Sequence, residues 1–233
     1  MNAEQTRVAL VDDDPTAAAT LSVLLEDAGF EAIEVEHPLE SVDGAVARIK
    51  SVATAAICDH RLSPRGLASF SGAELVAQLY STAFPAVLIS QYFKIDQNVS
   101  IRKYRSRIPI LLARDEVGPD QLADAIRVCS DEIGGRRLPQ RKGWRSLVRV
   151  VAKDIEGGED VLDAIIPGWR PDEAVRFPAE LLGHHRNSLP AGRSDRLELR
   201  FFASVNIGAE DAGDLYLEDF EPAIEPQNGT ILS

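Results

Sequence analysis

Short apolar runs alternate with amphipathic stretches over the first 135 residues of the chain. The apolar runs predict buried strands. The stretches between them repeat apolar positions every three or four residues, which predicts helices, except that the helix predicted at 96–105 is weak and polar. The predicted strands are residues 7–11, 31–35, 54–58, 86–90 and 108–113, and the predicted helices are residues 15–28, 39–49, 72–80, 96–105 and 119–133. Five strand–helix units with nearly continuous apolar strands are typical of a parallel sheet that is covered by helices on both faces.

The pattern changes after residue 135. The sequence GGRRLPQRKGW at 134–144 combines glycines, a proline and several bases, which predicts a linker between domains. Alternating or β-branched runs follow at 147–151, 161–166, 197–205 and 214–220, with one short helix near 178–182. We therefore predict an α/β domain at 1–135, a linker at 136–144, a small mostly-β domain at 145–222 and a flexible tail at 223–233.

Acidic side chains follow two strands of the predicted parallel sheet. Asp12 and Asp13 come directly after the first strand, and Asp59 comes directly after the third. Ligands bind beyond the carboxyl ends of the strands in such sheets, and in the doubly wound order 2-1-3-4-5 the first and third strands are neighbours. The three carboxylates should therefore converge, with Ser90 and Arg114 at the ends of the fourth and fifth strands on the same rim.

This predicted rim suits a divalent cation and phosphoryl transfer. Crowded carboxylates need a compensating charge, and Mg²⁺ binds through carboxylates, backbone carbonyls and water. An aspartate can also attack a phosphoryl group and hold it as an acyl phosphate. The predicted roles are nucleophile for Asp59, metal binding for Asp12, Asp13, Asp59 and the Arg61 carbonyl, and contacts with phosphoryl oxygens for Ser90 and Arg114.

Composition restricts the classes of protein that remain. The 233 residues carry 37 acids and 25 bases, a formal charge of −12, which argues against broad binding of nucleic-acid phosphates. The sequence contains no run of about 18 apolar residues and therefore predicts no membrane-spanning helix. Two cysteines, Cys58 and Cys129, form no disulfide scaffold, and the N-terminus has no signal-peptide pattern. We expect a cytoplasmic protein.

Residues 6–133 resemble the receiver domain of two-component response regulators. The matching motifs are VDDDP at 11–15, ICDHRL at 57–62, GAEL at 72–75, LIS at 88–90 and the basic residue at 114. The resemblance implies a flavodoxin-like doubly wound sheet, phosphorylation of Asp59 with Mg²⁺, and a sensor histidine kinase or phosphotransfer protein as the source of the phosphoryl group. The resemblance further implies a protein as the output partner, and a homodimer is compatible with it. It implies a signalling protein rather than an enzyme.

Three features depart from the receiver pattern. Receivers normally carry lysine where this chain has Arg114, whose planar fork is not equivalent to an ammonium. Leu111 stands where a switching tyrosine or phenylalanine is usual, and the loop containing SPRGLASFS at 63–71 is longer than is typical. The alternative hypothesis is therefore a degenerate receiver that serves as an interaction scaffold without phosphorylation.

Other candidate sites are weaker. His184 and His185 lack the spaced partners of a metal site, and His60 is expected to pack near the rim or to limit access to Asp59. The bases at 136–145 are expected to belong to a solvated linker, with an acidic partner or nucleic acid as the alternative. No helix-turn-helix pattern follows them. The aromatic residues expected in the core of the β domain are Trp169, Phe177, Phe201, Phe202, Tyr216 and Phe220.

Overall fold

The computed structural model describes residues 6–36, 38–62, 68–92, 96 and 98–223. The chain forms two compact units, Met1–Arg141 and Lys142–Ser233. The division between them falls inside the segment 136–144 that the sequence predicts as a linker. Of the predicted tail at 223–233, all but the first residue lies outside the described residues.

The first unit is built on a five-stranded parallel sheet in the order β2-β1-β3-β4-β5. Its strands are β1 (Arg7–Val11), β2 (Glu31–Glu34), β3 (Ala55–Asp59), β4 (Ala86–Ser90) and β5 (Leu111–Ala113). Its helices are α1 (Pro15–Asp27), α2 (Val42–Val52), α3 (Gly72–Ser81) and α4 (Pro119–Ile133). This arrangement confirms the predicted flavodoxin-like, doubly wound fold.

Alternate residues of one strand serve two different cores, which explains why the strands are apolar throughout. Ala56 and Cys58 of β3 pack in the cluster that also holds buried residues of α2 and α3. Ala55 and Ile57 of the same strand point to the opposite face, where buried residues of α1 and α4 cover them. A strand buried on both faces shows no polar alternation, as the sequence pattern indicated.

Side-chain caps fix where three of the helices begin. Asp14 accepts hydrogen bonds from the backbone N–H groups of Thr16 (2.9 Å) and Ala17 (3.4 Å), and Pro15 occupies the first turn of α1. Ser41 and Ser71 cap α2 and α3 in the same way. These caps satisfy N–H groups that a helix leaves without intrahelical partners. The start of α1 places Asp12 and Asp13 at the carboxyl edge of the sheet.

Two segments between β4 and α4 differ from the sequence prediction. Of the helix predicted over 96–105, residue 96 is helical, residues 98–101 form turns, and a 3-10 helix follows at Arg102–Arg107. Residues 93–95 and 97 of this region lie outside the described residues. Strand β5 is three residues long rather than six. Pro109 has no N–H for the sheet, which accounts for the late start of the strand.

The predicted linker is partly an ordered element of the first unit. Arg141 is 4% exposed and lies at the end of a 3-10 helix, Pro139–Arg141. Its guanidinium binds both carboxylate oxygens of buried Glu132, at 2.7 and 3.0 Å, and donates to the carbonyl of Ser106. The expectation that the bases at 136–145 form a solvated linker is therefore wrong for Arg141, because a buried two-point ion pair holds it.

The second unit is a five-stranded antiparallel sheet in the order β10-β9-β6-β7-β8. Its strands are β6 (Trp144–Glu156), β7 (Glu159–Ile166), β8 (Arg170–Pro178), β9 (Leu199–Val205) and β10 (Leu217–Pro222). The helix expected near 178–182 is a 3-10 segment, Ala179–Ser188. The mostly-β character agrees with the prediction. Strand β8 was not predicted. Its first half is polar, and its apolar alternation is limited to Val175 and Phe177.

One face of this second sheet carries its core. Phe177, Phe201 and Phe220 pack together there, and the ring centre of Phe220 lies 5.7 Å from that of Phe177 and 6.0 Å from that of Phe201. Phe202 was expected in the same core, and this expectation is wrong. It follows Phe201 in β9 and faces the other side of the sheet, where the Arg145 guanidinium lies 3.7 Å from its ring centre. Successive strand residues point to opposite faces, so the two phenylalanines cannot share a core.

In the part of the chain that the structure describes, no helix has both the length and the apolar composition needed to cross a bilayer.

Candidate functional site

The carboxyl edge of the parallel sheet brings the predicted site residues together. Asp12 and Asp13 follow β1, and Asp59 is the last residue of β3. Each of the three offers a carboxylate oxygen, and these oxygens lie within 4.8 Å of one another. Asp12 and Asp59 are buried, whereas Asp13 is half-exposed. The adjacency of β1 and β3 in the sheet order produces this convergence.

Arg114 provides the positive charge between two of these acids. Its Nη2 donates to Asp12 Oδ2 at 2.7 Å and to Asp59 Oδ1 at 2.5 Å. The other oxygen of each carboxylate accepts a backbone N–H, from Asp14 to Asp12 (2.9 Å) and from Arg61 to Asp59 (2.8 Å). The sequence predicted that this crowding needs a bound cation. In the structure, a side chain of the protein compensates the charge of two of the acids.

The environment of Asp59 opposes its ionisation. Burial raises the pKa of Asp59 above the ordinary value of 3.8, and the negative charge of Asp12 acts in the same direction. The Arg114 guanidinium and the Arg61 N–H lower the pKa without reversing the shift. An ionised Asp59 is therefore costly in the folded protein, and a cation that approaches it relieves part of that cost.

Asp59 should make the stability of the metal-free protein depend on pH. The pKa of Asp59 is higher in the folded protein than in the unfolded chain, where it is about 3.8. The contribution of Asp59 to the free energy of unfolding therefore falls as the pH rises from about 3.8 through the raised pKa. Above the raised pKa this contribution no longer changes. Urea unfolding in EDTA should show the wild type losing stability relative to Asp59→Asn across this window. A difference between the two proteins that is constant or grows with pH would contradict this prediction.

A second network lies beside the three acids and is centred on Asp96. Ser90 at the end of β4 donates its hydroxyl proton to Asp96 Oδ2 at 2.8 Å, and the Arg61 guanidinium binds Asp96 Oδ1 at 2.7 Å. The backbone N–H of Tyr92 donates to Ser90 Oγ at 3.2 Å, and the Arg61 guanidinium lies 4.1 Å from the centre of the Tyr92 ring. The predicted phosphoryl contact of Ser90 is thus occupied by an internal carboxylate.

His60 connects the third strand to this network. Its Nε2 lies 2.9 Å from Ser100 Oγ, and Ser100 in turn donates to the backbone carbonyl of Asp96 at 3.2 Å. Burial lowers the pKa of His60, which favours the neutral ring. His60 is buried at 4% exposure, so it packs near the rim rather than facing solvent.

The acids and Arg114 line an open cleft of about 550 Å³, with Thr16 and Thr20 of α1 on one side and Gln91 and Tyr92 on the other. The cleft is large enough for a phosphoryl group with its solvent shell. Tyr92 is an exposed aromatic residue at 45%. Asp59 lines this cleft and is 7% exposed, so solvent reaches it through the open side of the cleft.

Carboxylate oxygens are the donors that Mg²⁺ prefers, so the Asp12, Asp13 and Asp59 set fits this ion chemically. Oxygens of Asp12 and Asp59 are already bonded to the Arg114 guanidinium. A cation at these oxygens would share them with Arg114 or displace it. The Arg61 carbonyl remains a predicted ligand.

Sequence reasoning missed Asp96. It lies six residues after Ser90 in a region predicted as a polar helix, where one acid among several polar residues gives no distinguishing signal. Leu111 is half-buried in β5 at the place predicted for the missing switch residue. Of the candidates judged weaker, the rings of His184 and His185 lie in contact, with centres 3.8 Å apart and planes tilted by 45°. Cys58 and Cys129 are buried, and burial raises the pKa of both thiols, which argues against reactivity.

Comparison with known proteins gives likeness to solved structures only. No protein-family model matches the chain, and no curated protein sequence matches it. A response regulator receiver domain from Clostridium thermocellum is 15% identical, covers 55% of this chain and 95% of its own, and has a TM-score of 0.42. A CheY-like receiver domain protein from Methanospirillum hungatei JF-1 is 18% identical, with 57% and 98% covered and a TM-score of 0.43.

A third similar structure is the signal receiver domain of a modulated diguanylate cyclase from Desulfovibrio desulfuricans G20. It is 23% identical, with 56% of this chain and 98% of its own covered and a TM-score of 0.43. At these identities and TM-scores the likeness concerns the fold alone. The N-terminal unit is a flavodoxin-like, doubly wound unit with three clustered acids at the carboxyl edge of its sheet.

Proposed function

We propose that this protein is a response regulator of a two-component phosphorelay that accepts a phosphoryl group on Asp59. The observation that carries the proposal is the convergence of Asp12, Asp13 and Asp59 at the cleft, with a solvent-accessible path to Asp59. In this reaction a carboxylate oxygen of Asp59 bonds to phosphorus. The bond from phosphorus to the donor breaks, and the donor leaves with that electron pair. The product is an aspartyl phosphate.

The protein's own groups would orient and stabilise the transferred group. Arg114 is placed to bind phosphoryl oxygens once it leaves Asp12 and Asp59, and the backbone N–H of Arg61 holds Asp59 Oδ2. Mg²⁺ held by Asp12, Asp13 and Asp59 would neutralise the charge on the phosphoryl group. The proposed donor is a phosphohistidine of a sensor kinase or a phosphotransfer protein. The proposed output is a protein–protein contact of the β unit, which makes the protein a signalling component rather than an enzyme.

One observation favours the alternative of a receiver-like scaffold that is not phosphorylated. All four carboxylate oxygens of Asp12 and Asp59 already accept hydrogen bonds from the protein. If Arg114 neither leaves these oxygens nor shares them, the site stays closed to a cation. The two hypotheses therefore differ in whether Mg²⁺ can bind.

Incubation with acetyl phosphate and Mg²⁺ separates the two hypotheses. The wild type should gain the mass of one phosphoryl group, located on Asp59 by peptide mapping, and Asp59→Asn should gain none. Asp124→Asn, which removes an exposed acid on α4 that does not line the cleft, is the matched control and should react like the wild type. Absence of both Mg²⁺ binding and an adduct in the wild type would support the scaffold.

A further inference from the structure

Asp96 presents a buried carboxylate to two groups that flank the proposed phosphoacceptor. Its side chain is 6% exposed, and its two principal partners come from different strand ends. Ser90 Oγ lies 2.8 Å from Oδ2, and Arg61 Nη2 lies 2.7 Å from Oδ1. A hydroxyl and a guanidinium bound to one anion are also the groups expected to bind phosphoryl oxygens.

Ser90 cannot serve two acceptors at once. A serine hydroxyl has a single proton, and here that proton is directed at Asp96. The lone pairs of Ser90 Oγ accept the Tyr92 N–H at 3.2 Å, so the hydroxyl is held from both sides. To donate to a phosphoryl oxygen on Asp59, Ser90 has to give up its bond to Asp96.

Arg61 is also bound to Asp96 and would have to give up that bond to contact a phosphoryl group. Its backbone N–H binds Asp59, and its side chain lines the cleft at 43% exposure and lies against Tyr92. The guanidinium is therefore close to the place where a phosphoryl group would form, yet its hydrogen bonds are directed at Asp96. A dianionic phosphoryl group on Asp59 would attract the Arg61 guanidinium, since both groups would lie in the open cleft.

We propose that the Asp96 carboxylate acts as an internal substitute for the phosphoryl group. It binds Ser90 and Arg61 while Asp59 is unmodified, and the phosphoryl group competes with it for both. Asp96 is then a positioning residue that sets how strongly the site resists modification. This inference rests on the proposed phosphorylation of Asp59.

Release of Asp96 would reach the next element of the chain. Its backbone carbonyl accepts hydrogen bonds from Ser100 Oγ and from the N–H of Ile101, which directly precedes the 3-10 helix Arg102–Arg107. Ser100 also contacts His60. A displacement of Asp96 therefore alters the anchoring of this helix, and the helix becomes the segment expected to change on phosphorylation.

Titration with beryllofluoride, a phosphoryl mimic, in the presence of Mg²⁺ tests the inference on the full chain. Asp96→Asn should bind beryllofluoride about tenfold more tightly than the wild type, because the competing charge is gone. Its Mg²⁺ affinity without beryllofluoride should be unchanged, since Asp96 is not among the three clustered acids. Asp43→Asn, an exposed acid bonded to Gln78, is the matched control and should leave both affinities unchanged.

A second comparison separates competition from a merely structural effect. In a Ser90→Ala background, the gain from Asp96→Asn should shrink, because one of the two contested groups is missing. Urea unfolding of each variant verifies that it is folded before titration. An equal gain in both backgrounds would overturn the role assigned to the Ser90 contact.

The outcomes distinguish the two levels of the proposal. If the wild type binds beryllofluoride and Asp96→Asn binds no more tightly, the competition by Asp96 is refuted while phosphorylation of Asp59 stands. If only Asp96→Asn binds, the competition is supported in its strongest form. If neither protein binds, the proposed function fails, and the inference fails with it.

Discussion

Replacing Arg114 by alanine should lower the free energy of unfolding of the metal-free protein by about 3 kcal/mol, as expected when one partner of a buried ion pair is removed. The side chains of Asp12 and Asp59 are 2% and 9% exposed, and a single guanidinium bridges them. Without it, two nearly buried carboxylates face each other with no compensating charge. Mg²⁺ should then bind the variant more tightly than the wild type and restore most of the lost stability.

Urea unfolding of the wild type and Arg114→Ala, each in EDTA and in excess Mg²⁺, measures this effect. The matched control is Arg127→Ala, which removes an exposed arginine paired with Asp124 and Asp131 on α4 and should cost about 0.5 kcal/mol or less. An Arg114→Ala variant with the same loss of stability in both solutions would contradict competition between the guanidinium and the cation. Arg114 would then stabilise the two carboxylates in a way that the cation cannot replace.

The contacts of Arg114 with Asp12 and Asp59 are a consequence of side-chain geometry that the sequence does not reveal. The position of Arg114 on the rim was predictable, because it directly follows the apolar run that predicts β5. Its partners were not, since the sequence assigned Arg114 to the phosphoryl oxygens while the structure directs it to Asp12 and Asp59. Which acceptor a long side chain selects depends on distances across the sheet.

The parallel sheet was predictable because its signal is local. Each strand is a short apolar run, and each acid stands at the end of its run, so strand ends and helix starts could be assigned within a few residues. Asp96 shows where local signals end. Its side chain contacts Ser90, six positions away, and Arg61, 35 positions away, and nothing in the spacing of polar residues predicts these contacts.

The β unit was harder to predict for a related reason. Strand β8 contains Pro171, Asp172 and Glu173 before its apolar positions, as an edge strand with one exposed face permits. Phe202 looked like a core residue by type, but the alternation along β9 places it on the opposite face from Phe201. In both cases the side of the sheet decides burial, and residue type alone does not.

Substitution of Gly72 by alanine should be among the most damaging single changes in the N-terminal unit. A Cβ at this position would lie 1.8 Å from the backbone carbonyl oxygen of Asp59 and 3.1 Å from the Cα of His60. The close approach is fixed by a hydrogen bond from the Gly72 N–H to the His60 carbonyl at 2.9 Å. Since the obstacle is backbone, no side-chain rotation can relieve it.

We expect Gly72→Ala to cost roughly 3 kcal/mol in free energy of unfolding, at the upper end of overpacking effects. To make room, the start of α3 and the end of β3 must separate by more than 1 Å, roughly the shortfall from normal contact distance. That movement displaces Asp59 from Arg114 and Asp12, so Mg²⁺ binding should weaken along with stability. Urea unfolding and calorimetric titration with Mg²⁺ measure the two effects on the same sample.

Gly134→Ala is the control for Gly72→Ala, because it adds the same methyl group at the end of α4, where the nearest atoms lie at an ordinary contact distance of 3.4 Å. It should change stability by about 0.5 kcal/mol or less and leave the cation site intact. If Gly72→Ala matched this control in both measurements, the junction between α3 and β3 would be more compliant than its geometry indicates. The position of Asp59 would then depend on its side-chain partners, Arg114 foremost, rather than on the backbone contact that Gly72 permits.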